Sequence, residues 1–259
     1  MAVALFFVFR KRLLPVPDAF PAKWRKYLLQ EVKFYQALDA EARKQYEADI
    51  LYFLSHHKIT GIDTEVTDED RLLVASSGVI PIFGFPEWHY SNLDEVILYP
   101  QSFNHQHETE GTTNERNILG MVGSGYMSGK MLLSRPSLRQ GFENESTKSN
   151  VGIHEFVHLL DYAHGATDGI PEALLAHQYT IPWVAMIKAK IEAIQEGKSD
   201  INPYGGVSET EFLPVVSEYF FNRPRLLRDK HPHLYDLLQK VFQQDPASDK
   251  DEAIAAAKA

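Results

Sequence analysis

An α+β fold is what this sequence predicts, on three observations. Strand-like runs fall between two helical blocks instead of alternating regularly with helices. Apolar residues recur at helical spacing over both flanks. The chain has 259 residues, 44% hydrophobic and 24% charged, so it can bury a substantial core and is too apolar for wholesale disorder. No internal repeat is visible.

The elements follow in order. Trp24, Tyr27, Leu28, Val32 and Tyr35 mark a helix from Pro21 to Leu38, with Pro21 suited to its first turn. Asp39 caps a second helix, whose stripe of Tyr46, Ile50, Phe53 and Leu54 runs to His56. Gly61 breaks it and Ile62 to Val66 reads as a short strand. Thr67 with Asp70 has capping-box spacing before a third helix through Leu72 to Ile80. Glu95 to Tyr99 is a strand, Gln101 to Arg116 a polar loop, and Ile118 to Val122 with Met127 to Leu133 a hairpin around Gly123 and Gly125. Helices follow at Asn150 to His164, Pro182 to Glu196 with Gly197 as stop, Glu209 to Asn222, and Pro232 to Gln243. The expected organisation is an N-terminal tip (1–15), one domain (16–245) with a helical N-terminal part (16–66) and a catalytic remainder (67–245), and a frayed tail (246–259).

Composition narrows the function. Lys and Arg number 26 against 35 Asp and Glu, a net charge of −9 with no basic block, which argues against direct nucleic-acid binding. Cysteine is absent, so any metal must be held by His, Asp or Glu. The apolar run Ala2 to Phe9 is far shorter than the roughly 20 residues of a membrane span, and its charges, Arg10 to Arg12, follow it instead of preceding it as in a secretory signal. A cytoplasmic location is expected.

The informative segment is Val151-Gly152-Ile153-His154-Glu155-Phe156-Val157-His158-Leu159-Leu160-Asp161, which contains His-Glu-x-x-His. Four residues on a helix return to within about 40° of the starting direction and roughly 6 Å further along, so both imidazoles leave one face and can share one ion. Ile153, Val157 and Leu160 bury another face. Ser149 or Asn150 caps the start. Glu155 is placed to take a proton from a water acidified by zinc and pass it to a leaving amine.

A hydrolytic zinc needs a third protein ligand. His164 lies ten residues after His154, but Asp161 stands where the metzincin string needs the glycine that swings its third histidine back. The alternatives are Glu211 and Glu218, seven apart on one face of the later helix. Spacing alone does not choose among them.

Over most of its length, from about Trp24 to about Pro224, the sequence resembles the Mlc titration factor A family of zinc metallopeptidases, whose catalytic part is similar to that of anthrax lethal factor. The resemblance rests on Phe53-Leu54 with Gly61 beyond, Val66-Thr67-Asp68, Val96 to Pro100, Leu132-Leu133-Ser134, Asn150 to Asp161, and Tyr204-Gly205 through Glu211-Phe212 to Ser217-Glu218-Tyr219-Phe220-Phe221. It implies a zincin-like, gluzincin-type fold, in which a small sheet and hairpin pack on the active-site helix between N-terminal and C-terminal helices. It implies one Zn2+ held by His154, His158 and Glu211, Glu155 as catalytic base, Tyr204 stabilising the oxyanion, and Asp161 supporting the ligands from behind. The implied activity is aminopeptidase-type hydrolysis of a peptide substrate. The implied alternative is a regulatory protein that binds a transcriptional repressor.

The chain departs from the family pattern at Pro214 and at Gly205-Gly206-Val207-Ser208. A helix beginning near Thr210 leaves Pro214 harmless in its first turn; one beginning at Ser208 puts a kink inside, which could move Glu211 off the metal and leave Glu218 as ligand. His105 and His107 are read as solvated loop residues, and His56, His57, His231 and His233 as helix-boundary histidines without function. The hairpin is read as a sheet edge for substrate.

Overall fold

The computed structural model describes residues 16–102, 119–123, 127–143, 146–162 and 180–248. The helical N-terminal block comprises α1 (Ala22–Glu31), α2 (Lys33–Ala37) and α3 (Ala40–His56). One helix was expected over 21–38, but fully buried Val32 takes an extended conformation and splits it. Pro21 is therefore the N-cap of α1, not part of its first turn. Asp39 caps α3 as expected, accepting from the Glu41 and Ala42 amides.

The strand expected at Ile62 to Val66 is displaced. β1 is Lys58–Gly61, paired in parallel with β2 (Glu95–Tyr99) in the register Lys58↔Glu95 to Gly61↔Leu98. Gly61 ends a strand instead of breaking a helix, because the chain folds back so tightly that a Cβ there would lie 2.2 Å from the Thr64 carbonyl oxygen. Between these strands runs α4 (Asp68–Ile82), opened by the expected Thr67 and Asp70 capping box.

β3 (Gly120–Val122) and β4 (Lys130–Ser134) form the antiparallel hairpin, and β4 also pairs in parallel with β2. Among the described residues the sheet order is β1-β2-β4-β3, a mixed sheet with β3 at one edge. α5 (Arg135–Glu143) follows β4 directly and was not anticipated; its start is signalled only by Ser134, whose hydroxyl accepts from the Ser137 amide, with Pro136 just inside the helix.

α6 (Val151–Asp161) is capped by Asn150, whose side chain accepts from the Ile153 amide. It ends before the expected limit, and His164 and Gly165 lie outside the described residues, as do Gly125, His105 and His107. Among the described residues, α7 (Thr180–Gln195), a short 3-10 turn (Pro203–Gly206), α8 (Glu209–Asn222), α9 (Pro224–Lys230) and α10 (Pro232–Phe242) follow; α9 was missed by sequence reasoning. Gly197, at φ +69°, stops α7 as expected.

α6 is wedged into the core against α4. A Cβ on Gly152 would lie 2.1 Å from Ser77 Oγ, and one on Gly78 would lie 3.0 Å from the Phe156 ring, so small residues bring the two helices together. Ile153, Phe156, Val157 and Leu160 are buried in the main hydrophobic core with Trp183, Phe212, Val216 and Phe220. The helix bearing both histidines is thus anchored on its apolar side and fixed in direction. No helix among the described residues is long and apolar enough to cross a membrane.

Candidate metal centre

His154 and His158 leave α6 one turn apart, with ring centroids 4.9 Å from each other. The first turn of α8 brings Glu211 between them: Glu211 Oε2 lies 3.1 Å from His154 Nε2 and 3.4 Å from His158 Nε2. Donor atoms of all three residues fall within 4.8 Å of one another, and among the described residues no other His, Asp and Glu group converges in this way. Two imidazole nitrogens and a carboxylate oxygen are a donor set suited to zinc, and three protein donors leave room for a further one.

Glu218, two turns along α8, goes elsewhere. Its Oε1 is 2.7 Å from His154 Nδ1, on the far side of the ring from Glu211, and its Oε2 accepts the backbone N–H of Asn150 at 2.5 Å. It therefore stands behind a histidine, not beside Glu211. Pro214 lies inside α8, whose cap is Ser208, yet Glu211 still faces both histidines. The feared displacement does not occur, because the bond that proline deletes is to the carbonyl of Thr210, in the first turn, and the rest of α8 is held by burial of Phe212, Val215, Val216 and Tyr219.

Electrostatics follow from this packing. Burial opposes a charge on His154, but hydrogen bonds to Glu211 and Glu218 outweigh it and push its pKa up to about 10. Burial raises Glu211, yet the two histidines prevail and hold it down at about 2, so this carboxylate is ionised. Glu155 is 6% exposed, and burial raises its carboxyl above the ordinary range against the pull of His154 and His158.

Tyr204 sits on the 3-10 turn, held there by Asn202, whose side chain accepts the Tyr204 amide. The ring is half exposed and its centroid is 5.9 Å from that of His154. Burial, the charges of Glu211 and Glu155, and a hydrogen bond to Glu211 raise its hydroxyl pKa. Asp161 is buried near the end of α6, and the converging donor group does not include it.

Sequence reasoning missed Gly120. A Cβ there would lie 2.6 Å from Glu155 Cγ and 2.7 Å from Glu155 Oε1, so the edge strand touches this carboxylate's side chain. Only the pairing of β3 beside α6 reveals that contact, since the two residues are 35 positions apart in sequence.

An α+β fold with this donor group on a core-anchored helix defines a metallopeptidase-like protein. Residues 8–243 match the glucose-regulated metallo-peptidase M90 family, and the chain belongs to it. It is 28% identical over 235 residues to the protein slr2042 of Synechocystis sp., covering 87% of this chain and 85% of that one. It is 26% identical over 189 residues to Mlc titration factor A of Pectobacterium atrosepticum, covering 70% and 71%, and 29% identical over 171 residues to that of Escherichia coli, covering 62% of each.

Proposed function

We propose that this chain is a cytoplasmic, zinc-dependent peptidase of zincin-like fold, acting on small peptide substrates in aminopeptidase fashion. The observation that carries this reading is the convergence of His154 Nε2, His158 Nε2 and Glu211 Oε2 on one point beside the buried carboxylate of Glu155. In this reading His154, His158 and Glu211 hold the metal. Zinc bound there supplies a Lewis acid that polarises a peptide carbonyl and acidifies water.

The remaining chemistry falls to side chains and backbone. Glu155, its carboxyl pKa raised by burial, is suited to accept a proton from the attacking water and return it to the leaving amine. Tyr204 donates its hydroxyl to the oxygen on which negative charge develops, an interaction that strengthens as the tetrahedral species forms. β3 presents the substrate-binding edge. The Ser134 amide donates to Leu119 O and the Gly123 amide to Lys130 O, so residues 119, 121 and 123 turn their backbone groups toward β4. The N–H and C=O of Gly120 and Val122 then point outward, where an extended peptide can add as a further strand next to Glu155.

Metal analysis of the purified protein, with activity on aminoacyl anilides, tests the reading. About one zinc per chain is expected, lost in His154→Ala, His158→Ala and Glu211→Ala. Glu155→Gln should keep the zinc and lose about 10²–10⁴-fold in kcat. Full activity in Glu155→Gln would reject the mechanism. The name of the Mlc titration factor A relatives supports a second reading, in which the chain sequesters a transcriptional repressor; capture of that repressor by Glu155→Gln as well as by the parent would separate binding from hydrolysis.

A further inference from the structure

We infer that Glu218 is a positioning residue that sets the tautomer and ring orientation of His154, the inference resting on the reading of His154 as a metal ligand. Glu218 is 6% exposed, and a buried carboxylate is costly unless its oxygens are hydrogen-bonded. Both are. Oε1 meets His154 Nδ1 at 2.7 Å, and Oε2 takes the Asn150 amide at the N-terminus of α6, where the helix dipole also favours negative charge.

The consequence for His154 is specific. A carboxylate only accepts, so the hydrogen shared with Glu218 belongs to Nδ1, and Nε2 is the nitrogen that offers its lone pair once its own hydrogen gives way to a metal. Nε2 is the nitrogen that faces Glu211 at 3.1 Å. One helix therefore supplies both sides of the grip: Glu211 in its first turn stands before the imidazole and Glu218 stands behind it. Seven residues is the spacing that returns a helix to the same face after about two turns, roughly 10 Å, enough to straddle a ring and the start of the facing helix. The Asn150 contact adds a second constraint. Asn150 caps α6 through its side chain and donates its side-chain amide to Gly141 O, so the same carboxylate fixes where the histidine-bearing helix begins and which way its first histidine turns.

The test uses the full chain, with zinc affinity measured by competition against a chromophoric chelator. Glu218→Ala should weaken zinc binding about 10–100-fold, and Glu218→Gln, which keeps an acceptor oxygen, should recover part of the loss. Nitrogen-15 NMR of the zinc-loaded parent should find the His154 hydrogen on Nδ1 and the metal on Nε2; this measurement stands even if Glu218→Ala fails to fold. A Glu218→Ala protein that binds zinc within twofold of the parent, or a parent in which His154 Nδ1 carries no hydrogen, overturns the inference while His154→Ala still loses the metal. Zinc retained by His154→Ala overturns the ligand reading and this inference with it.

Discussion

Gly120 and Glu155 occupy adjoining space: the position a β-carbon would take on the edge strand is filled by the glutamate side chain, 2.6 Å from its Cγ. Gly120 has no positive φ, so what it provides is room, not an unusual backbone conformation. The Val151 side chain closes the same space, its Cγ2 2.8 Å from that point. Packing between β3 and α6 thus fixes the carboxylate from above while the core fixes the helix from below.

Gly120→Ala is accordingly expected to displace Glu155. Overpacking of this kind costs about 1–3 kcal/mol of stability, and a misplacement of about 1 Å in a reacting group costs roughly 10²-fold in rate. The expected result is a large fall in kcat with zinc content unchanged. Because the two shortest contacts are with Glu155 and only the third is with Val151, the loss in thermal stability should shrink, without vanishing, when Glu155 is also changed to Ala. An equal loss in both backgrounds would show that the methyl group disturbs something else.

Tyr204 offers a separate handle, since it stands on the 3-10 turn and not on α6 or α8. Tyr204→Phe keeps the ring and removes only the donor. For a hydroxyl engaged chiefly in the transition state, kcat should fall about 10²–10³-fold with KM nearly constant. Steady-state kinetics on an aminoacyl anilide reads this directly; a rise in KM with kcat unchanged would assign the tyrosine to ground-state binding.

What was legible in the sequence depended on how local the signal was. Asp39, Thr67 with Asp70, and Asn150 each sit within three residues of the amides they cap, and those helix starts were readable from the chain, whereas the start of α8 was open between Ser208 and Thr210 until the structure showed Ser208 as its cap. His154 and His158 share one helix, so their common face was readable too. β1 was misplaced because Lys58 to Gly61 carries no alternating pattern of its own and becomes a strand through pairing with β2, across more than thirty residues. The contrast between Glu211 and Glu218 was out of reach for a similar reason. On α8 both are acids on one face, and only the docking of α6 puts one before His154 and the other behind it.

Asp70 holds together the scaffold behind the site. It is fully buried and accepts from Arg135 Nη2 at 3.0 Å, Arg139 Nη2 at 2.7 Å and the Thr67 amide at 3.0 Å, tying the start of α4 to α5. Removing one partner from such a group strands the others, so Asp70→Ala should cost about 3 kcal/mol in chemical denaturation. Replacing Arg139 alone, which is partly exposed, should cost less. Burial raises the Asp70 carboxyl, but the Thr67 amide and the two arginines outweigh it and leave it below the ordinary range. Its contribution is therefore present above about pH 4 and lost as the pH falls through the lowered value, and Asp70→Asn should flatten that acid limb.

His57 predicts acid sensitivity at a milder pH. It is 6% exposed at the end of α3, with Nδ1 donating to the Leu93 carbonyl at 3.0 Å. Burial is the main force on it, with repulsion from His56 and His89 adding to it and the Leu93 and Asp94 contacts opposing it, and its pKa falls from 6.5 to about 4. A pKa depressed on folding means that the unfolded chain binds the proton first. Stability is then complete above pH 6.5 and declines as the pH drops toward 4, by about 3 kcal/mol at 1.36 kcal/mol per unit. Urea denaturation of the parent and of His57→Gln, measured between pH 7 and pH 4, separates this group from the carboxylates that titrate lower. The parent should lose stability from about pH 6.5 down to 4, whereas the variant, less stable at pH 7, should change little until the carboxylates begin to protonate. Parallel curves for the two proteins would mean that the imidazole titrates alike in the folded and unfolded chain, with water reaching the space between α3 and Leu93.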